Sequence, residues 1–258
     1  MSKIRLLGRL DIKGPNLIKG VRFEGLRVLG DPEEFAVKYY EQGIDELIYI
    51  DTVASLYGRN NLLEFVKKVG KKTFVPITVG GGIRSVNDAQ KFLNAGADKV
   101  AINSAAVNNP KILEGIAKRF GSQCLVLIVD AKRINHEKKW EVYTLQGREK
   151  TNVDVIEWIK KGINLGVGEI LVTSIDQDGT LKGYDLELIK KINENLNIPL
   201  VVCGGGGSLE DINDVLKISE NINIALGTAL HKNILKINEI KSFLKKKGYI
   251  TRKYGKSE

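Results

Sequence analysis

Two glycine runs sit at matching places in the chain. ITVGGGIRS carries Gly80–Gly82, and VVCGGGGS carries Gly204–Gly207. Glycine permits positive φ and close backbone approach, so successive N–H groups can converge on one anion. In each case the next apolar segment closes on a small polar pair at a helix start, Asn103-Ser104 or Gly227-Thr228. A helix start adds free N–H groups and a partial positive charge. One anion site is therefore expected at Gly82, Asn103 and Ser104. A second is expected at Asp178, Gly179, Gly205, Gly206, Gly227 and Thr228. Tight turning alone would explain either run, but the same paired feature twice argues for two phosphates. The substrate would then be elongated, with a phosphate at each end.

Asp11 and Asp130 each end an apolar run, 119 residues apart. Two carboxylates flanking a bound substrate suit general acid and general base chemistry. Salt bridges to Lys13, Lys19 or Lys132 are the plainer reading. Asp51 and Asp176 look like a second symmetric pair, as suited to fixing loops as to catalysis. Arg5, Glu46, Lys99 and Glu169 each begin a strand-like run, which places two acids and two bases at the opposite end. By themselves they read as a charged structural network closing a floor.

The elements that must position these groups alternate regularly. Strands are expected at Ile4–Leu10, Leu47–Ile50, Val75–Val79, Lys99–Ile102, Leu125–Val129, Glu169–Thr173, Leu200–Val202 and Ile222–Leu226. Helices are expected at Pro32–Gln42, Leu62–Val69, Val86–Asn94, Pro110–Phe120, Val155–Leu165, Leu186–Asn195, Leu209–Ile218 and Ile237–Lys247. Eight such units predict an α/β fold, a single (βα)8 TIM barrel spanning residues 1–258 as one domain. A doubly wound open sheet is the alternative, but no GxGxxG follows the first strand. One insertion after Asp130 predicts a hairpin over the upper rim, with a strand at Trp140–Thr144 and a turn at Gly147. Gly80-Gly81-Gly82 and Gly204-Gly205-Gly206 lie 124 residues apart, and Ile50-Asp51 and Ile175-Asp176 lie 125 apart. That spacing predicts two-fold pseudo-symmetry between half-barrels.

At 258 residues and 43% hydrophobic, the chain can bury a full core. The net charge of +9 is spread over helices, densest from Lys241 to Lys253, and is not interleaved with aromatics. Nucleic-acid binding is not expected; attraction of an anionic substrate is. No apolar run predicts a membrane span, and the first residues lack a signal-peptide pattern. Cys124 and Cys203 are expected as reduced thiols in apolar strand-like segments, without a disulfide, metal site or cofactor. Cytoplasmic location follows as an expectation.

Several motifs together resemble the cyclase-subunit family of imidazole glycerol phosphate synthase, HisF, from about Arg5 to Tyr249. They are LDIK with Lys19-Gly20, GDP, GIDEL, TVGGGIR, GADKVAINSAAV, FGSQ, DAKR, GEILVTSIDQDGT, GYD and CGGGGS. The resemblance implies an ammonia-dependent cyclase/lyase of histidine biosynthesis. Such an enzyme converts a bisphosphorylated ribulosyl aminoimidazole carboxamide nucleotide to imidazole glycerol phosphate and aminoimidazole carboxamide ribonucleotide. It implies Asp11 and Asp130 as catalytic aspartates and Lys19 as a substrate contact. It also implies Arg5, Glu46, Lys99 and Glu169 as an ammonia gate, with a glutaminase subunit docked on the lower rim. An isomerase of a related bisphosphate would use the same aspartates without ammonia, and the gate residues argue against it.

The departures are informative. Arg9 stands where the family usually has CLDV, Cys203 replaces a serine, and Ser219–Asn223 replaces Ala-Gly-Ala-Asp. These features resemble paralogues that pass ammonia to a sugar-amidating enzyme of surface-polysaccharide synthesis. By alternation Arg9 points into the barrel, between gate and catalytic acid. A buried guanidinium needs a partner, Asp51 or Asp11. Pairing with Asp11 would weaken it as a proton donor and favour the paralogue.

Overall fold

The computed structural model describes residues 3–53, 62–134 and 137–252. Lys253, the last residue of the basic run, lies outside them. The first strand, β1 (Leu6–Lys13), runs on into a hairpin of β2 (Asn16–Val21) and β3 (Glu24–Gly30). Then follow α1 (Pro32–Glu41), β4 (Glu46–Asp51), α2 (Leu62–Val69), β5 (Ile77–Gly80), α3 (Val86–Asn94) and β6 (Lys99–Ile102). A short α4 (Ser104–Asn108) precedes α5 (Lys111–Phe120) and β7 (Leu125–Arg133). The second hairpin adds β8 (Trp140–Thr144) and β9 (Glu149–Asp154) to the end of β7. The chain continues through α6 (Val155–Asn164), β10 (Glu169–Ser174), α7 (Leu186–Asn193), β11 (Leu200–Cys203), α8 (Leu209–Leu216), β12 (Ile222–Leu226), α9 (Thr228–His231) and α10 (Ile237–Lys246).

Eight of these strands pair in parallel and close on themselves, in the order β1-β4-β5-β6-β7-β10-β11-β12 and back to β1. This is the expected (βα)8 barrel. Side chains alternate across each strand, which makes two apolar layers. Leu6 and Leu10 face the helices, whereas Leu7, with Ile48, Ala101, Val126, Leu171 and Val201, fills the bore. Helix starts are fixed locally. Asp31 accepts from the Glu33 and Glu34 N–H groups ahead of Pro32, and Asp154 accepts from Ile156 and Glu157. Each such cap is worth about 1 kcal/mol.

The half-barrels match in backbone detail, and the match corrects the offset read from the sequence. Ser85 and Ser208 both cap helices by accepting from an Asp three residues on, Asp88 or Asp211. The positive-φ glycines pair Gly81 (93°) with Gly204 (95°), and Gly82 (73°) with Gly205 (106°). The glycine runs therefore correspond at an offset of 123 residues, not 124. Asp51 ends β4 as Ser174 ends β10. Asp51 and Asp176 are thus not symmetric equivalents. Asn103 and Gly227 keep the offset of 124 and share an unusual backbone, φ/ψ of −124/−87° and −120/−85°.

Other departures are local. Ile4 makes only an isolated bridge to Thr251, so β1 starts at Leu6. Cys124 lies in a 3-10 turn, Ser122–Cys124, whereas Cys203 is buried at the end of β11. The β2–β3 hairpin was not expected. Its second strand is almost wholly exposed, so it carries no alternating apolar pattern. Among the described residues no helix is long and apolar enough to cross a membrane.

Candidate active site

The expected site residues fall at the two ends of the barrel, and the upper end gathers most of them. Asp11 and Asp130 lie on the inner face of β1 and β7, buried at 5% and 2% exposure. Asp11 Oδ1 accepts from Arg9 Nε at 2.9 Å, and its Oδ2 accepts from Lys19 Nζ at 3.1 Å. Lys19, on β2, also donates to both oxygens of Asp178 at 3.0 and 2.9 Å. Burial alone would raise the Asp11 carboxyl, but Arg9 and Lys19 outweigh it and hold it well below the usual range. Asp130 Oδ2 accepts from Asn103 Nδ2 at 2.9 Å, while its Oδ1 is buried without a protein partner. Burial pushes this carboxyl up to about 6, against Arg9 and Asn103. The two aspartates are thus set apart in acidity, an arrangement suited to acid and base work.

A cavity of about 300 Å³ opens beside them, lined by Arg9, Gly82, Asn103, Ser104, Asp130 and the hairpin tip at Gln146, among others. Ser104 Oγ accepts from Leu145 N at 3.1 Å, tying the β8–β9 turn to the start of α4. Neither α4 nor α9 has a side-chain cap, so their first N–H groups remain available to an anion. The opposite cleft, lined by Asp178, Gly179, Gly205, Gly206, Gly227 and Thr228, holds only about 20 Å³. The β2–β3 hairpin abuts its edge; a Cβ on Gly179 would meet Gly20 O at 2.5 Å. Thr228 Oγ1 and Tyr184 OH are buried there without protein partners. Unsatisfied polar groups at both clefts and on Asp130 fit a polar ligand.

The lower end closes with a ring of alternating charges. Arg5 bonds Glu46 at 2.6 Å and Glu169 at 3.1 Å, and Lys99 bonds the same two acids at 3.2 and 2.6 Å. Ordered as base, acid, base, acid, the four side chains satisfy one another across the bore. Among the described residues no cluster of three or more His, Cys, Asp or Glu could hold a metal ion.

The sequence profile of the family described as histidine biosynthesis protein matches residues 5–236. The imidazole glycerol phosphate synthase subunit HisF of Legionella pneumophila is 61% identical over 213 residues, 83% of this chain and 100% of that protein. The subunit HisF of a Prochlorococcus marinus strain is 48% identical over 253 residues, 98% of each chain. The chain belongs to the HisF family. A more distant HisF, from Sulfurisphaera tokodaii, is 44% identical over 248 residues, 96% of this chain and 98% of that one.

Within this HisF-family barrel, several expectations are now placed. Arg9 pairs with Asp11; Asp51, the other candidate, accepts from Val53 N at 3.0 Å. Asp176 accepts from Arg133 N at 2.9 Å, so it too holds a loop. Lys19 is the lysine that pairs with Asp11, while the structure gives Asp130 an amide partner instead. Three contributors were missed. Asn223 Oδ1 accepts from Arg5 N at 3.0 Å and Arg5 Nε at 3.3 Å, buttressing the charged ring. Thr173 accepts from Arg9 Nη1 at 2.7 Å. Phe23, at the β2–β3 turn, lies 5.8 Å from the Arg9 guanidinium carbon. Asn223 at the first turn of a strand was a visible polar break; nothing local distinguished Thr173 or Phe23.

Proposed function

We propose that this chain is the ammonia-using cyclase/lyase subunit of imidazole glycerol phosphate synthase, acting in the cytoplasm. The reading is carried by the HisF-family match, supported by two glycine-lined clefts at symmetry-related places and by the buried Asp11 and Asp130 at the same end of the barrel. The two clefts hold the phosphates of a bisphosphorylated ribulosyl aminoimidazole carboxamide nucleotide and bring its reacting carbon over the barrel axis. That placement supplies much of the rate enhancement by orientation. The two aspartates then support the proton transfers of amine addition, ring closure and cleavage. A glutaminase subunit docks on the lower rim, where Arg5, Glu46, Lys99 and Glu169 form the entry for ammonia. Crossing the bore keeps ammonia from protonation in bulk water.

The test is a spectrophotometric assay of purified protein with an ammonium salt and the bisphosphate nucleotide. Release of imidazole glycerol phosphate supports the reading, and absence of turnover by correctly folded protein removes it. The Arg9–Asp11 pair favours a second reading, a conduit that passes ammonia to a separate sugar-amidating enzyme. In that case the same assay gives little product, and glutaminase coupling persists.

A further inference from the structure

The two aspartates at the barrel mouth occupy unlike surroundings. Both oxygens of Asp11 accept from buried cations, Arg9 at 2.9 Å and Lys19 at 3.1 Å. A proton on either oxygen would neutralise the carboxylate and cost both of these buried ion pairs. Asp130 has one oxygen on the neutral amide of Asn103 and the other buried without a protein partner. We propose that Arg9 is a positioning residue that fixes Asp11 as a carboxylate and leaves Asp130 as the aspartate that exchanges protons with the substrate. The proposal rests on the cyclase reading for the identity of that substrate.

Arg9 is built for this role. It lies two residues below Asp11 on the inner face of β1 and is 2% exposed. Its Nη1 donates to Thr173 on β10, whose register neighbour on β7 is Asp130. The Phe23 ring lies 5.8 Å from the guanidinium carbon, within cation–π range. The head group is therefore held by β1, β10 and the first hairpin together. A guanidinium keeps its proton at any working pH, so the charge beside Asp11 is permanent.

The surrounding charges agree. Asp11 faces Arg9 on its own strand, Lys19 on β2, Asp178 beyond β10, Cys203 on β11 and His231 on α9. Burial pushes the thiol of Cys203 up and His231 down to about 4, so both are neutral near pH 7. Asp130 faces Arg9, Asn103, Asp11 and Asp178, and lines the same cavity as Asp51. Two cations touch Asp11, whereas among the described residues none hydrogen-bonds Asp130. Burial therefore prevails at Asp130 and pushes it up to about 6, where it can both give and take a proton.

The proton balance closes on one group. When ammonia adds to a substrate carbonyl, the Asp130 carboxylic acid gives its proton to the oxygen, which becomes a hydroxyl. The new carbon-bound ammonium returns a proton to the Asp130 carboxylate. Asp11 stays anionic throughout and holds Lys19.

An infrared pH titration of the full-length protein tests the division, reading the carbonyl stretch of buried protonated carboxyls. In the wild type one such band should grow as pH falls through about 6. Asp11→Asn should keep it, and Asp130→Asn should abolish it. Arg9→Met should bring in a second band that Asp11→Asn removes in the same background, while Arg9→Lys should not. Arg9→Gln gives the same reading should Arg9→Met not fold. Loss of the wild-type band in Asp11→Asn with retention in Asp130→Asn overturns the assignment. A wild-type spectrum from folded Arg9→Met or Arg9→Gln overturns the role of Arg9. Absent cyclase turnover would remove the substrate reading and leave the infrared assignment standing.

Discussion

Phe23 and Gly147, at the tips of two different hairpins, meet over the barrel mouth. A Cβ on Gly147 would lie 2.8 Å from Phe23 Cδ2, and Gly147 itself has a φ of +75°. The contact joins the hairpin that abuts Gly179 to the hairpin that lines the larger cleft at Leu145 and Gln146. Gly147→Val should push the tips apart and strain the turn by about 1–3 kcal/mol. We expect KM for the bisphosphate to rise about tenfold, equivalent to about 1.4 kcal/mol, with kcat less affected. Steady-state kinetics with saturating ammonia read this; an unchanged KM would show that the tips can part without cost to binding.

The acidity of the two aspartates predicts opposite effects on stability. Asp130 titrates at about 6 when folded, against about 3.9 in an unfolded chain. A raised value favours folding below the unfolded value and loses that contribution as pH rises through about 6. At pH 8 the buried ionised carboxylate costs on the order of 3 kcal/mol. Asp130→Asn should therefore raise Tm at pH 8 and do little at pH 4. Asp11 is held below its usual range; its contribution is present above about pH 4 and lost as pH falls toward the folded value. Asp11→Asn should lower Tm at pH 8. Thermal melts at both pH values check the signs, and a shared sign at pH 8 refutes them.

Catalytic necessity is a separate matter from stability. Asp130→Asn should reduce turnover by about 10²–10⁴-fold while leaving substrate binding nearly intact, because the phosphate clefts anchor the ligand. Asp11→Asn should also fall below about a tenth of the wild-type rate, since Lys19 and Arg9 lose their shared anion. If both variants retain more than that, the acid–base assignment fails.

The charged ring predicts a difference between two nitrogen sources. Lys99 bridges Glu46 and Glu169 at 3.2 and 2.6 Å. Lys99→Ala should impair glutamine-dependent activity more than ammonia-dependent activity, measured in the presence of the glutaminase partner. Asn223→Ala, which removes one acceptor from Arg5 but leaves its ion pairs with Glu46 and Glu169, should shift the ratio the same way to a smaller extent. Equal loss in both assays would place Lys99 in folding or in the chemistry itself.

Inorganic phosphate supplies a direct check on the two clefts. Crystals grown in phosphate should show one anion at Gly82, Asn103 and Ser104. A second should lie at Gly179, Gly205, Gly206, Gly227 and Thr228. Anions found only elsewhere on the surface would count against both sites.

Much of this protein could be read from its sequence because the signals are local. β6 and β12, and helices α2 and α3, lie where the apolar periodicity puts them. A 3.6-residue or two-residue period is written within one element. The glycine runs were visible for the same reason, since each depends on backbone conformation at its own position. Asp11 and Asp130 were expected to end their strands, but β1 runs on to Lys13 and β7 to Arg133, where each strand pairs with the hairpin that follows it. Alternation also placed Arg9 inside the barrel. What alternation cannot decide is which neighbour an inward side chain meets across the bore. That depends on strand stagger and closure, and it joined Arg9 to Thr173 across the bore, while Arg9 also bonds Asp11 on its own strand and Asp51 accepts from its own loop. The β2–β3 hairpin escaped notice because its second strand is exposed and needs no apolar pattern; besides pairing with β1 it is held by contacts with Gly179 and Gly147, far away in sequence. The one-residue difference between the glycine runs likewise emerged only from backbone angles. Sequence spacing counts residues, whereas equivalence in a barrel is set by where each strand ends.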